Sequence, residues 1–257
     1  MILHAIDQGS GGETLVLLHG LFGSAGNFGL IQRRLATQRR VLALDLRNHG
    51  ASPHADGMEY PAMAADVMET LDRLVPGPVA LLGHSMGGKV AMAAALLHPA
   101  RVARLMIADI APAPYEPHFR TLVAALQALP MTPGQTRAEA DQALAPAVPD
   151  AKLRGFLLQN FRPGQIGKEG GGWRIGLDAI AAALPTIEGW STTGQYPGPA
   201  LCLMGEHSEY VLPEHRKLFR ALFPAIRFTT LHGAGHWLHA DAPDAFVAAV
   251  QGFMPAS

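Results

Sequence analysis

Residues 79–82 form a short apolar run that leads directly into Gly83-His84-Ser85-Met86-Gly87 and then into an almost wholly apolar, alanine-rich stretch at 86–98. A continuous apolar run of this length reads as a strand covered on both faces, and the longer stretch behind it as a buried helix. Between them the chain has room only for a sharp turn. Ser85 sits at its apex, in a strained conformation with its hydroxyl exposed, and side chains at the flanking glycines would collide with the neighbouring strand and helix. The bare G-x-S-x-G pattern would arise by chance in roughly 0.08 windows of a chain of this composition. With a strand before it and a helix after it, Ser85 reads as a nucleophile rather than as part of a structural Gly-Ser turn.

The same alternation runs through the first part of the chain. Apolar runs at 15–18, 41–46 and 105–108 read as further buried strands, and 61–75 places Ala64, Val67, Met68, Leu71, Leu74 and Val75 on one helical face. Such β-α-β alternation predicts an α/β fold with a doubly wound, mostly parallel sheet. The rhythm stops after Asp109, where Ala111-Pro112-Ala113-Pro114-Tyr115-Glu116-Pro117 is a linker by composition. Helical patterns follow at 118–129, at 137–145 behind Thr136, and at 151–161 behind Asp150, a good N-cap. A Gly170-Gly171-Gly172 turn and a helix around 177–184 lead to Pro197-Gly198-Pro199. Alternation then resumes with a strand at 200–204, a helix at 213–222, a strand at 226–231 and a last helix from Pro243. The expected organisation is a core domain of residues 1–110 and 197–257, with an all-helical cap inserted at 111–196.

A chain of 257 residues, 49% hydrophobic, can bury one sizeable core. A formal net charge of -1 gives no basic footprint for nucleic acid or an anionic membrane, and near-neutrality fits a monomer or weak homo-oligomer. The lone Cys202 excludes an intrachain disulfide and a cysteine-rich metal site, and in its apolar run it reads as a small buried hydrophobe. Met1–Asp7 lacks the basic start and apolar stretch of a signal peptide. The most apolar helix is interrupted by His98, Pro99 and Arg101 too soon to span a bilayer. The expected location is the cytoplasm.

A serine hydroxyl needs a base within hydrogen-bond reach. Of 12 histidines, His236 stands in Gly233-Ala234-Gly235-His236-Trp237, a glycine-rich loop between the last strand and the last helix. That loop lies at the carboxyl edge of the sheet, beside the turn that carries Ser85. His232 and His239 are the competitors. His232 and His236 also have the spacing of a metal pair on a helix, but Gly233 and Gly235 argue against the helix that would align them. No metal and no cofactor are expected. A developing oxyanion needs backbone N–H donors. One is expected from Met86 and the other from Leu21 or Phe22 in His19-Gly20-Leu21-Phe22-Gly23, and Met86 and Phe22 are expected to flank the substrate.

Taken in order, these segments resemble the α/β-hydrolase superfamily over essentially the whole chain, and more narrowly the YbfF-type esterases. The resemblance is carried by His19-Gly20-Leu21-Phe22-Gly23-Ser24, Asp45-Leu46-Arg47-Asn48-His49-Gly50-Ala51-Ser52 and Gly83-His84-Ser85-Met86-Gly87-Gly88-Lys89. It continues in Ala108-Asp109-Ile110-Ala111-Pro112 and Gly233-Ala234-Gly235-His236-Trp237. Arg47-Asn48-His49-Gly50 is the more specific part, since the wider superfamily usually has Arg-Gly-x-Gly there. The resemblance implies a cofactor-free esterase or thioesterase acting on small acyl substrates beneath a helical cap.

A carboxylate must hold the histidine in the right tautomer. In most members of the superfamily it follows the strand that corresponds to 200–204, but here Ser208 stands where an aspartate would. The resemblance to YbfF-like chains points instead to Asp109, with Glu206 and Glu209 as the other candidates. Asp45 reads as an anchor for the turn at 47–52, and Lys89 as structural or solvated. Phe119, Phe156, Trp173 and Trp190 either line the pocket or pack among the cap helices. The expected reaction is a two-step acyl transfer. Carbon–carbon bond hydrolysis, perhydrolysis and a non-catalytic ligand-binding role are the alternatives, and Ser85 argues against the families that carry an aspartate at this turn.

Overall fold

The computed structural model describes residues 1–163 and 172–255. Nine strands are present among them, β1 Ala5–Gln8, β2 Leu15–Leu18, β3 Val41–Leu44, β4 Val79–His84, β5 Val102–Ala108, β6 Phe161–Arg162, β7 Gly172–Trp173, β8 Ala200–Gly205 and β9 Ile226–Leu231. Seven form one sheet in the order β1-β3-β2-β4-β5-β8-β9. All neighbours in it are parallel except β1, which pairs antiparallel with β3. The doubly wound, mostly parallel sheet is as expected. Strand β1 was not legible, because Ala5-Ile6-Asp7-Gln8 is a half-exposed edge without an apolar run.

Strands β2, β3 and β4 are buried along their full length. Their side chains divide by parity between two cores. Val16, Leu18, Leu42, Leu44, Val79 and Leu81 join one, which also holds α2 (Tyr60–Leu74) and α3 (Met86–Leu97). Leu15, Leu17, Val41, Ala43, Ala80 and Leu82 join the other, under α1 (Gly29–Leu35) and the last helix, Pro243–Phe253. Helix α1 was also missed by the sequence reading. It opens on glycine, and its buried face includes Gln32, whose amide donates to the carbonyls of Ile6 and Val41.

Between β5 and β8 lie α4 (Phe119–Gln127), α5 (Arg137–Leu144), α6 (Ala151–Leu157) and α7 (Leu177–Glu188). The expectation of helices alone needs one addition, the short antiparallel pair β6–β7 with Phe161 opposite Trp173. Helix α6 therefore stops short of the expected 151–161, tightening through 158–160 before Phe161 enters its strand. Gly170 and Gly171 of the expected turn lie outside the described residues, and Gly172 opens β7. Helix α8 (His215–Leu222) precedes β9, and the short α9 (Leu238–Asp241) comes before α10, the helix at Pro243–Phe253.

Lys89 is fully buried and structural. Its Nζ donates to the carbonyls of Gly189 (2.7 Å) and Glu188 (3.3 Å) at the C-terminal end of α7, and sits 4.5 Å from the centre of the Tyr115 ring. A cation there satisfies carbonyls that the helix leaves unpaired, so α3 pins the inserted segment to the core. Burial pushes the Lys89 ammonium down to about 7. Cys202 is buried as expected, and burial pushes its thiol up. No helix among the described residues is long and apolar enough to cross a membrane.

Candidate active site

Ser85 links the end of β4 to α3 with φ 52° and ψ −122°. A non-glycine residue in that region is strained by roughly 1–3 kcal/mol and persists only where its surroundings impose it. Here they do. A Cβ at Gly83 would lie 2.0 Å from the Gly87 carbonyl oxygen, and one at Gly87 would lie 2.4 Å from the oxygens of both Leu18 and His19. The turn therefore fits only with glycine on both sides. The Ser85 N–H also donates to the Ala108 carbonyl at 2.9 Å, tying the apex to the end of β5.

Immediately after β5 comes Asp109, fully buried and also at positive φ (57°). Its Oδ1 accepts from the Gly205 N–H at 3.1 Å. Its Oδ2 accepts from the Ser208 hydroxyl and from Nδ1 of His236 at 2.7 Å. Because the carboxylate can only accept, Nδ1 carries the proton, and Nε2 is left as an acceptor. Neither glutamate reaches His236. Glu206 accepts from the Gly233 N–H at 2.8 Å and pairs with His232, both at the surface. Glu209 lines a separate cleft. His239 packs against Phe28 and His84, and its buried Nδ1 has no hydrogen-bond partner among the described residues.

The loop that follows β2 is held by two neutral histidines. His19 donates from Nδ1 to the Gly20 carbonyl and accepts the Leu46 N–H on Nε2. His49 donates from Nδ1 to the Arg47 carbonyl and accepts the Phe22 N–H on Nε2 at 3.1 Å. Burial, with His19 nearby, pushes His49 down to about 3. Phe22 is therefore not a free donor. Its N–H is engaged by His49 and its φ is 62°, whereas the Leu21 N–H makes no hydrogen bond among the described residues. Asp45 anchors the adjoining turn, its carboxylate accepting the N–H groups of Ala25 and Ala51 at 2.7 and 2.8 Å.

Ser85 and His236 face a cavity of about 600 Å³, walled by Phe22, Phe119, Leu122, Leu153, Phe156 and Trp237. Of the four aromatics singled out between residues 111 and 196, Phe119 and Phe156 thus reach the cavity. The other two pack elsewhere, Trp173 against Phe161 and Trp190 against Tyr60. The Met86 side chain is buried in the core and does not line the cavity.

The family described as alpha/beta hydrolase fold matches residues 13–243. This chain belongs to that family. Among the relatives of this alpha/beta hydrolase, the sn-1-specific diacylglycerol lipase ABHD11 of Xenopus laevis is 43% identical over 254 residues. The match covers 95% of this chain and 80% of the lipase. Esterase YbfF of Escherichia coli (strain K12) is 37% identical over 245 residues, covering 94% of this chain and 93% of that protein. A solved structure titled marine microorganism esterase superposes with a TM-score of 0.92 at 37% identity, covering 98% and 99% of the two chains.

Four residues of the site escaped the sequence reading. Ser208 was noted only as a missing aspartate, and it donates to Asp109 from that place. His49 belongs to the recognised Arg47-Asn48-His49-Gly50 motif, yet nothing local shows that its ring accepts the Phe22 N–H. His84, the variable position of the serine motif, donates from Nε2 to the His236 carbonyl at 2.8 Å. Tyr210 stacks on the His236 ring. Each contact spans between 26 and 152 positions of sequence, so spacing carries no trace of them.

Proposed function

We propose that this chain is a serine esterase that hydrolyses acyl esters through an acyl-enzyme on Ser85. The observation that carries the reading is the 2.7 Å bond from His236 Nδ1 to the buried Asp109 carboxylate, at the same sheet edge as the strained Ser85. With Nδ1–H fixed on Asp109, Nε2 of His236 takes the Ser85 proton as Oγ attacks the ester carbonyl carbon. The tetrahedral oxyanion is held by the N–H groups of Met86, at the start of α3, and Leu21. Collapse breaks the bond to the alcohol oxygen, which receives the proton from His236. A water then gives its proton to His236 and attacks the acyl carbon, and a second collapse releases the acid and restores the Ser85 hydroxyl.

The relatives named as esterases and a lipase support an ester substrate. The apolar walls of the 600 Å³ cavity suit an acyl chain. In this reading residues 111–196 serve as the cap, contributing Phe119 and Phe156 to those walls. The test is hydrolysis of p-nitrophenyl esters from acetate to dodecanoate, run beside Ser85→Ala. Turnover that is lost in the variant supports the reading. Turnover that survives it, or none on any ester, contradicts it.

A further inference from the structure

The imidazole of His236 is held on three sides, and only one of them is the carboxylate. Asp109 takes the edge of the ring at Nδ1. The Tyr210 ring lies over one side, with centroids 4.0 Å apart and planes 26° from parallel. His84 approaches at 4.8 Å and binds the His236 carbonyl. Tyr210 is itself fixed at both ends. Its N–H donates to Oγ of Ser208 at 3.3 Å, and its phenol Oη–H donates to Nε2 of His118 at 2.9 Å. Nδ1 of His118 donates to the Glu116 carbonyl, which leaves Nε2 as the acceptor. One loop after β8 therefore serves the acid through Ser208 and the base through Tyr210.

From this arrangement we propose that Tyr210 is a positioning residue for the base, presenting its π face to His236 so that the imidazolium formed during each proton transfer is stabilised. This rests on the reading of His236 as the base. An aromatic face favours the charged ring over the neutral one, an attraction that strengthens where water is excluded. His236 is 24% exposed, so part of its surroundings is dry. Burial, with Asp109 close by, pushes the Tyr210 phenol up to about 12, so the ring stays neutral over the working range. Among the described residues, the other titratable groups facing His236 are Asp109 from the end of β5, His84 from β4 and His239 from α9. Desolvation lowers both histidines and keeps them neutral at pH 7. Asp109 is the same in wild type and in a Tyr210 variant, so a difference between the two reports the stack.

The experiment is the pH profile of kcat/KM on a short p-nitrophenyl ester for wild type, Tyr210→Leu and Tyr210→Phe. The acid limb reports the protonation of the free enzyme's base. Tyr210→Leu keeps the site apolar and removes the π face. Its acid limb is expected about half a pH unit or more lower, with kcat reduced roughly fivefold to tenfold. Tyr210→Phe keeps the face and loses only the bond to His118, so its limb is expected to stay at the wild-type position. A Tyr210→Leu limb unmoved from wild type overturns the proposal, and so does an equal shift in Tyr210→Phe. Tyr210→Met, read in the same way, decides the matter should the leucine variant not fold. Ser85→Ala is assayed alongside. Loss of turnover there with an unmoved Tyr210→Leu limb sinks the stacking role alone, while retained turnover sinks the esterase reading itself.

Discussion

Nδ1 of His236 donates to Oδ2 of Asp109 at 2.7 Å across 127 positions of sequence. The carboxylate that meets His236 thus stands at the end of β5, not in the loop after β8. Asparagine at 109 offers an N–H where the imidazole needs an acceptor and favours the wrong tautomer. Asp109→Asn is expected to lower kcat by about 10³- to 10⁴-fold, while Glu206→Gln and Glu209→Gln stay within about twofold of wild type. Steady-state kinetics on one ester decide it, and a large loss in either glutamate variant with a near-silent Asp109→Asn reverses the assignment.

Ser208 keeps a donor where a carboxylate would otherwise stand. Removing its hydroxyl leaves Asp109 with two donors, Gly205 N–H and His236. Hydrogen bonds to charged groups contribute about 1.5–3 kcal/mol. Ser208→Ala is therefore expected to lower kcat about tenfold, with KM little changed. An unaltered kcat would show that the remaining donors suffice.

Gly87 touches the backbone of β2 and has no slack. A Cβ there would meet the oxygens of Leu18 and His19 at 2.4 Å. Gly87→Ala is expected to lower Tm by about 10 °C or more, or to leave no folded protein. Gly252, in α10 with open space around it, is the control. Gly252→Ala is expected to hold or raise stability by up to about 1 kcal/mol. Calorimetry of the pair separates the close contact from the general effect of replacing glycine.

Much of this was written locally in the chain. The buried strands were legible because β2, β3 and residues 79–82 of β4 are apolar without interruption, and Ser85 and His236 because each sits in a glycine-rich turn at a strand end. Asp109 depended on which strand lies beside which. Only the order β4-β5-β8 brings the end of β5 under both Ser85 and the loop after β8. Phe22 was a plausible oxyanion donor by spacing, until a histidine 27 positions away engaged its N–H. Edge strand β1 and helix α1 stayed hidden because exposed or polar-faced elements carry little hydrophobic period.

Buried neutral histidines make stability depend on pH, His49 and His239 among them. Burial sets the folded-state values of His49 near 3 and His239 near 4, both below the unfolded value near 6.5. Between those limits the unfolded chain binds more protons, so stability is full above about pH 6.5 and falls as the pH drops towards 4. Each contributes a slope of up to about 1.4 kcal/mol per pH unit in that window. Urea unfolding of His239→Phe at pH 7 and pH 5 is expected to show a smaller loss on acidification than wild type. Equal losses would mean that His239 is already charged in the fold.

The most direct measurement is covalent capture of the nucleophile. The protein is treated with a fluorophosphonate, which reacts with a serine oxygen only where a base and an oxyanion site activate it, and the adduct is located by peptide mass spectrometry. One adduct per chain, on the peptide containing Ser85 and absent from Ser85→Ala, is the result expected. No adduct in an ester-hydrolysing preparation, or an adduct on any other residue, would contradict the assignment of Ser85.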